Sequence, residues 1–247
     1  MDITTITIFV LAVFSMYFKD ADHSSSLSSD YGTTAEFQAA TMGTTYSVKV
    51  VAQLDSNAEE LLWQTVRREL ELVNSLMSTY DDASKINALN ENDGTEAVDI
   101  EEPMMTVLRA ASDIYEASSG AFDPTVGPLV DLWGFGPNQQ NTDPTQEDIH
   151  RLLEWTGFDL LRLNIENGTV HKTSADLGLD LSAIAKGYAV DLVAEGIEGE
   201  LGYTSWFVEI GGEIRASGNN GSGVPWQVGI ETPSEGERTL WMTVPLV

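Results

Sequence analysis

Apolar and polar positions alternate along the chain in two different periods, and their order does not repeat. Thr44 to Ala52 (TTYSVKVVA) reads as a strand. Directly after it, Ser56-Asn-Ala-Glu59 has the spacing of a capping box, and Leu62, Val66, Leu70, Val73 and Met77 then recur at helical spacing. A second helix is predicted from Pro103, a favoured first position, to near Gly120. A third is predicted from Asp143-Pro-Thr-Gln146 to Gly157. Leu161, Leu163 and Ile165 alternate into Asn167-Gly168, a hairpin signal, and Val170 returns. Residues 182–198 look helical through Ile184, Tyr188, Leu192 and Val193, and strands are expected at 205–210, 226–231 and 239–244. Strands and helices do not alternate one for one. An α+β fold with a mixed or antiparallel sheet and packed helices is therefore expected, rather than a doubly wound parallel sheet. No long linker interrupts residues 37–247, which are expected to form one domain.

The first residues differ from the rest. Ile3 to Phe18 form an uncharged apolar run, short of the ~20 residues that span a bilayer but suited to a signal-peptide core. Residues 1–18 are therefore expected to act as an export signal or anchor. The Ser- and Asp-rich stretch 19–36 is expected to be a flexible tether.

Charge narrows the partners. The 247 residues carry 39 acidic and 12 basic side chains, a net charge of −27, and 42% are hydrophobic, enough to build a core. A sequence pI near 4.1 repels phosphate backbones and no basic stripe offsets it, so nucleic acid is not an expected partner. An anionic ligand would need a metal ion or a concentrated basic spot. Cysteine is absent, which removes disulfides, thiolate zinc sites and thiol nucleophiles.

Several chemistries fail on spacing. The chain has no phosphate loop, no G-x-G-x-x-G and no G-x-S-x-G elbow, and its three histidines are scattered. What remains is a series of short segments, four of the five marked by glycine. They are Thr41-Met-Gly-Thr-Thr-Tyr46, Ser78-Thr-Tyr-Asp-Asp-Ala-Ser84, and Gly120-Ala-Phe-Asp-Pro-Thr-Val-Gly-Pro-Leu129 running on to Trp133-Gly-Phe-Gly136. Then come Leu179-Asp-Leu-Ser-Ala-Ile-Ala-Lys-Gly-Tyr-Ala-Val-Asp191 and Glu209-Ile-Gly-Gly-Glu213. Taken singly, each is compatible with ordinary turn chemistry, and Met42 and Tyr80 with core packing. Lys186 is harder to place that way. In a chain with few cations it sits among Ile184, Ala185, Gly187 and Ala189, small or apolar neighbours that would let an anion approach.

In this order, the five segments resemble the ApbE-type FAD:protein FMN transferases, from about Thr41 to Pro233. The resemblance implies an α+β fold of the T-fold-related kind and an exported enzyme acting on the periplasmic side of the cytoplasmic membrane. It implies a magnesium-dependent reaction that splits FAD, releases AMP and attaches FMN to a threonine of an acceptor protein in a membrane redox complex. By motif, Met42, Tyr80, the Ala121-Phe122-Asp123 turn, Asp180 and Lys186 would contact FAD, and the main-chain oxygen of Ala183 would bind Mg²⁺. No catalytic residue is implied beyond these. Family members continue past the position of Val247 into an acidic cluster that completes the metal site, and many carry a lipid-bearing cysteine. The chain is thus expected to be a fragment with an incomplete metal site. The alternative expectation is a flavin-binding module without transfer activity.

Overall fold

The computed structural model describes residues 33–94, 96–138, 143–233 and 239–246. The apolar run 3–18 and most of the expected tether lie outside them. The described chain divides into two compact units, one made of residues up to Trp63 and from Ala194 onward, the other of Gln64–Val193.

The first unit is built on an antiparallel sheet in the order β1-β2-β6-β7. β1 (Thr34–Thr41) and β2 (Thr44–Val51) form a hairpin whose register ends at Thr41↔Thr44. Its two turn residues, Met42 and Gly43, have φ of 48° and 69°. Two successive positive φ values are what a tight two-residue hairpin requires, and a methionine there is uncommon. β1 was not expected; its burial alternates only weakly, so its apolar signal is faint, and it takes up Thr34–Glu36, the end of the expected tether.

β2 and β6 (Trp206–Ile210) occupy the middle of the sheet, and this decides their burial. Tyr46, Ser47, Val48, Lys49 and Val50 are all buried, as is every residue of β6. The buried Lys49 ammonium meets Glu36 across the β1–β2 pair at 3.1 Å. Trp63 stacks on Phe37 at 5.6 Å and on Tyr46 at 6.2 Å. β7 (Glu213–Ser217), also not expected from the sequence, pairs with β6 through the Gly211-Gly212 turn. β8 (Trp226–Glu231) and β9 (Leu240–Leu246) form a separate two-stranded ribbon.

The long helix α1 (Ser56–Met77) buries the whole predicted stripe of Leu62, Val66, Leu70, Val73 and Met77. Its cap lies one residue earlier than the capping-box reading. Asp55 Oδ1 accepts from the amides of Asn57 and Ala58 at 3.0 and 2.8 Å, because an aspartate satisfies the orphan N–H groups as well as a serine does.

The second unit is mainly helical. It holds α2 (Lys85–Glu91), α3 (Glu102–Ala117), α4 (Gly127–Leu132), α5 (Gln146–Leu153) and α6 (Ser182–Glu195). A small antiparallel sheet joins β3 (Val98–Asp99), β5 (Thr169–Lys172) and β4 (Leu161–Asn164). The hairpin at Asn167-Gly168 forms, with 165–168 as its loop. α5 is capped by Thr145 in a reciprocal box with Asp148, not by Asp143 with Gln146. α6 ends as an α-helix at Glu195, and the expected last turn continues as a π-helical turn over Gly196–Glu200.

The β6–β7 hairpin generates a pH prediction. Glu209 is buried, and that burial lifts its carboxyl above the ordinary glutamate value; the Gly212 amide, donating at 2.6 Å, opposes the shift, and the nearby Glu213 charge adds to it. A raised folded value means that the folded state holds the extra proton. The stabilisation from this group is therefore complete below the ordinary glutamate range and is lost as pH rises through the folded value. Glu209→Gln, neutral at every pH, should gain thermal stability relative to the parent between about pH 4 and about pH 7. Melting curves at the two pH values test this; a difference that stays constant or shrinks refutes it.

Candidate functional site

The strongest gathering of motif segments lies in the second unit, where three stretches with no ladder of their own meet. The first is the turn before α2. Ser84, fully buried, caps α2 by accepting from Asn87 N–H at 3.3 Å, and Asn87 Nδ2 donates back to the carbonyls of Thr79 and Asp81. That closed loop presents Tyr80 to solvent. At 67% exposure Tyr80 is not a core residue, and its hydroxyl donates to Phe135 O at 2.9 Å.

The second stretch runs from Ala121 to α4. Asp123 Oδ1 accepts from both the amide and the hydroxyl of Thr125, at 2.8 and 2.6 Å. The same hydroxyl, fully buried, accepts from Gly157 N–H at 2.7 Å. The aspartate thus orders its own turn and ties it to the end of the α5 segment. Burial raises the Tyr115 hydroxyl above its ordinary value, and the charges of Asp159 and Asp123 add to it.

The third stretch, 177–183, leads into α6. Asp180 N–H donates to Pro124 O at 2.8 Å, so the Asp123 and Asp180 segments are joined directly. Asp180 Oδ1 accepts from Ser182 N–H at 2.8 Å and so orders the start of α6. Just upstream, Gly178 pairs with Val126 as an isolated parallel bridge. A Cβ on Gly127 would lie 3.1 Å from Gly178 O, and one on Gly178 would lie 3.0 Å from Pro128. The missing side chains are what let the two backbones touch.

Between these stretches lies a cleft of about 280 Å³. Thr79, Asp82, Asn87, Asn90 and Glu91 line one side; Gly127, Pro128, Asp131, Pro137, Asn138, Gly178, Leu179 and Asp180 complete it. It falls just under the roughly 300–1,000 Å³ of drug-sized sites, room for part of a dinucleotide. Its lining holds four carboxylates and no basic residue. Such a surface suits a cation or hydroxyl and amino donors, and repels a bare phosphate. Thr79 Oγ1 is buried at its edge without a protein partner. A larger hollow of about 580 Å³ along β4–β5 collects none of the motif residues.

Of the residues singled out in the sequence, Asp180 lines the cleft, Tyr80 adjoins it through Thr79, and Asp123 precedes Pro124, whose carbonyl accepts from Asp180 N–H. Ala121 is exposed and Phe122 half-buried, ahead of that turn. Ala183 is exposed in the first turn of α6, and Lys186 Nζ donates to Ser182 O, one turn back, at 3.1 Å. None of these last four lines the cleft. Met42 belongs to the first unit, where it forms the hairpin turn rather than the entry to a strand. Asn90, Gly178 and Asp131 were missed. Asn90 and Gly178 fall outside the five segments, and Asp131 sits within the third without a pattern of its own.

The sequence model of the ApbE family matches residues 42–247. A Vibrio cholerae protein named FAD:protein FMN transferase is 40% identical over 201 residues, covering 81% of this chain and 59% of its own length. A Haemophilus influenzae protein of the same name is 40% identical over 212 residues, covering 83% and 61%. The chain thus spans about three fifths of these relatives. A solved structure, the flavin transferase ApbE from Vibrio cholerae, superposes with a TM-score of 0.79 at 37% identity, covering 86% of this chain and 68% of that one.

Thr125 provides a test of the local geometry. Thr125→Val keeps the shape but strands Gly157 N–H and removes one donor from Asp123. A buried group left unpaired costs about 1–3 kcal/mol, and chemical denaturation should show a loss of that size. A variant as stable as the parent would mean that the hydroxyl does not tie the two loops.

Proposed function

The chain belongs to the ApbE family, and from that premise we propose that it works as part of an FAD:protein FMN transferase. In the proposed reaction a threonine oxygen of an acceptor protein takes the flavin-bearing phosphoryl group of FAD. The anhydride bond to AMP breaks, and the threonine proton leaves with AMP. The observation that carries this reading is the direct tie between the Asp123 and Asp180 segments beside a cleft that Tyr80 adjoins through Thr79. Phosphoryl transfer asks a protein mainly to position groups and stabilise charge, and a cleft framed by cross-bonded loops is suited to that.

The exposed Tyr80 ring offers a stacking face to a flat flavin, and Ala121, Phe122 and Asp123 a turn against which the ligand can lie. Lys186, at the start of α6, supplies a point charge for a phosphoryl oxygen. The carboxylates of the cleft make a bare diphosphate unwelcome, which supports a role for Mg²⁺. Asp180 and the Ala183 carbonyl are hard oxygen donors of the right kind for an ion held jointly with phosphate oxygens. Among the described residues, however, no group of three or more acidic or histidine side chains forms a metal site. When bound, magnesium offsets negative charge on the departing phosphate. We also place the enzyme outside the cytoplasm on the strength of the apolar segment 3–18, with an acceptor in a membrane redox complex.

The acidic lining of the cleft, which repels the diphosphate that transfer must position, favours one second reading, a flavin-binding module without transfer. A single experiment separates the two. The chain is mixed with FAD, Mg²⁺ and an acceptor domain, flavin binding is followed by fluorescence, and the acceptor is weighed by mass spectrometry. An acceptor heavier by one FMN less water supports transfer; saturable binding with an unlabelled acceptor supports the module; no binding refutes both. In the same titration, Lys186→Ala should weaken FAD binding by about 1.5–3 kcal/mol, the range of a charge-assisted contact. Unchanged affinity would remove Lys186 from the phosphate site.

A further inference from the structure

Lys172 is 1% exposed, and nothing in the proposed chemistry uses it. It ends β5 and points its ammonium at main-chain carbonyls: Asn90 O at 2.7 Å, Leu177 O at 3.0 Å and Ala175 O at 3.4 Å. An ammonium has three protons, and here each has a carbonyl. Burial pulls its pKa below the ordinary lysine value, against the pull of Asp176 and Asp93. A lysine kept buried at that cost has work to do where it stands.

The work is visible one residue further on. Asn90, whose carbonyl Lys172 holds, turns its side chain to Leu179. Its Nδ2 donates to Leu179 O at 2.9 Å, and its Oδ1 accepts from Leu179 N–H at 2.8 Å. This side chain satisfies both polar groups of a buried residue that belongs to no strand or helix. The next residue is Asp180, which lines the cleft, donates to Pro124 O and orders the start of α6. The approach is tight on the other side as well. A Cβ on Gly94, at φ 79°, would lie 3.0 Å from Ser174 C and 3.3 Å from Lys172 O.

We propose that Asn90, anchored by Lys172, is a positioning residue that fixes Asp180 and the first turn of α6 at the wall of the cleft. As far as flavin binding is concerned, this rests on the function proposed above; the positioning itself does not. Asn90 acts through Leu179. Without it, segment 177–180 keeps the Lys172–Leu177 bond, the Gly178–Val126 bridge and the Asp180–Pro124 bond, but the buried N–H and C=O of Leu179 lose their partners.

The test joins two readouts on the chain of 247 residues. In Asn90→Ala without ligand, amide hydrogen exchange at 177–183 should quicken about tenfold or more, while α1 and α3 keep the parent's protection. FAD affinity should fall about tenfold, and adding Asp180→Ala should cost much less than it does in the parent, because the two residues act in series. Should Asn90→Ala fail to fold, Asn90→Asp, which keeps the acceptor and loses the donor, and Lys172→Met give the same readouts. Unchanged exchange at 177–183, or losses of affinity that simply multiply, would overturn the proposal. A parent that binds no FAD would refute the functional reading, while the exchange data would still decide the positioning.

Discussion

A buried main-chain group must find a partner, and in the second unit that requirement falls on segments that have no regular ladder. The stretches 79–84, 123–126 and 177–180 meet around the cleft, where Leu179 N–H and C=O and Asp180 N–H find their partners outside any ladder. Three side chains supply what secondary structure does not: Asn90 serves Leu179, Thr125 serves Gly157, and Lys172 serves three carbonyls at once. Hydrogen bonds of this kind add only about 1 kcal/mol each when made, but leaving a buried group unmade costs more. The cleft is therefore held less by what its loops gain together than by what they would lose apart. Glycine completes the arrangement at 127 and 178, where the backbones touch.

Charge sets the second constraint. The chain is strongly acidic, and the cleft repeats that bias with four carboxylates and no cation in its lining. A ligand bearing phosphates can stay only if its charge is met by something other than the cleft wall. Under the proposed function, Lys186 at the start of α6 and a hard cation beside Asp180 supply that charge. Tyr80, whose hydroxyl donates to Phe135 O, leaves its ring exposed next to this polar hollow, and under the proposed function that ring is the flat partner for the flavin.

Much of this was legible in the sequence. The stripe of α1, the start of α3 at Pro103, the hairpin near Asn167 and the strands β2, β6, β8 and β9 follow from periodicity and turn chemistry, because each is long or sharply punctuated. α2, α4 and β7 were not legible, being five to seven residues long, too short for a period to show. Capping positions slipped by a residue or two, since Asp55 and Thr145 compete with neighbours of the same chemistry. The segments around Tyr80, Asp123 and Asp180 stood out as short motifs, and the structure joins them. Asn90 and Lys172 carried no such mark. An asparagine in a polar helix end and a lysine in a hairpin look like surface residues until the fold buries the lysine and turns the asparagine onto Leu179.

The central claim is that these three segments form one ligand site, and amide chemical-shift mapping during an FAD titration in the presence of Mg²⁺ tests it most directly. The account predicts that resonances in 79–91, 121–131 and 178–186 shift together and saturate at one common concentration. Shifts confined to the β4–β5 hairpin, or three segments responding with different affinities, would contradict it.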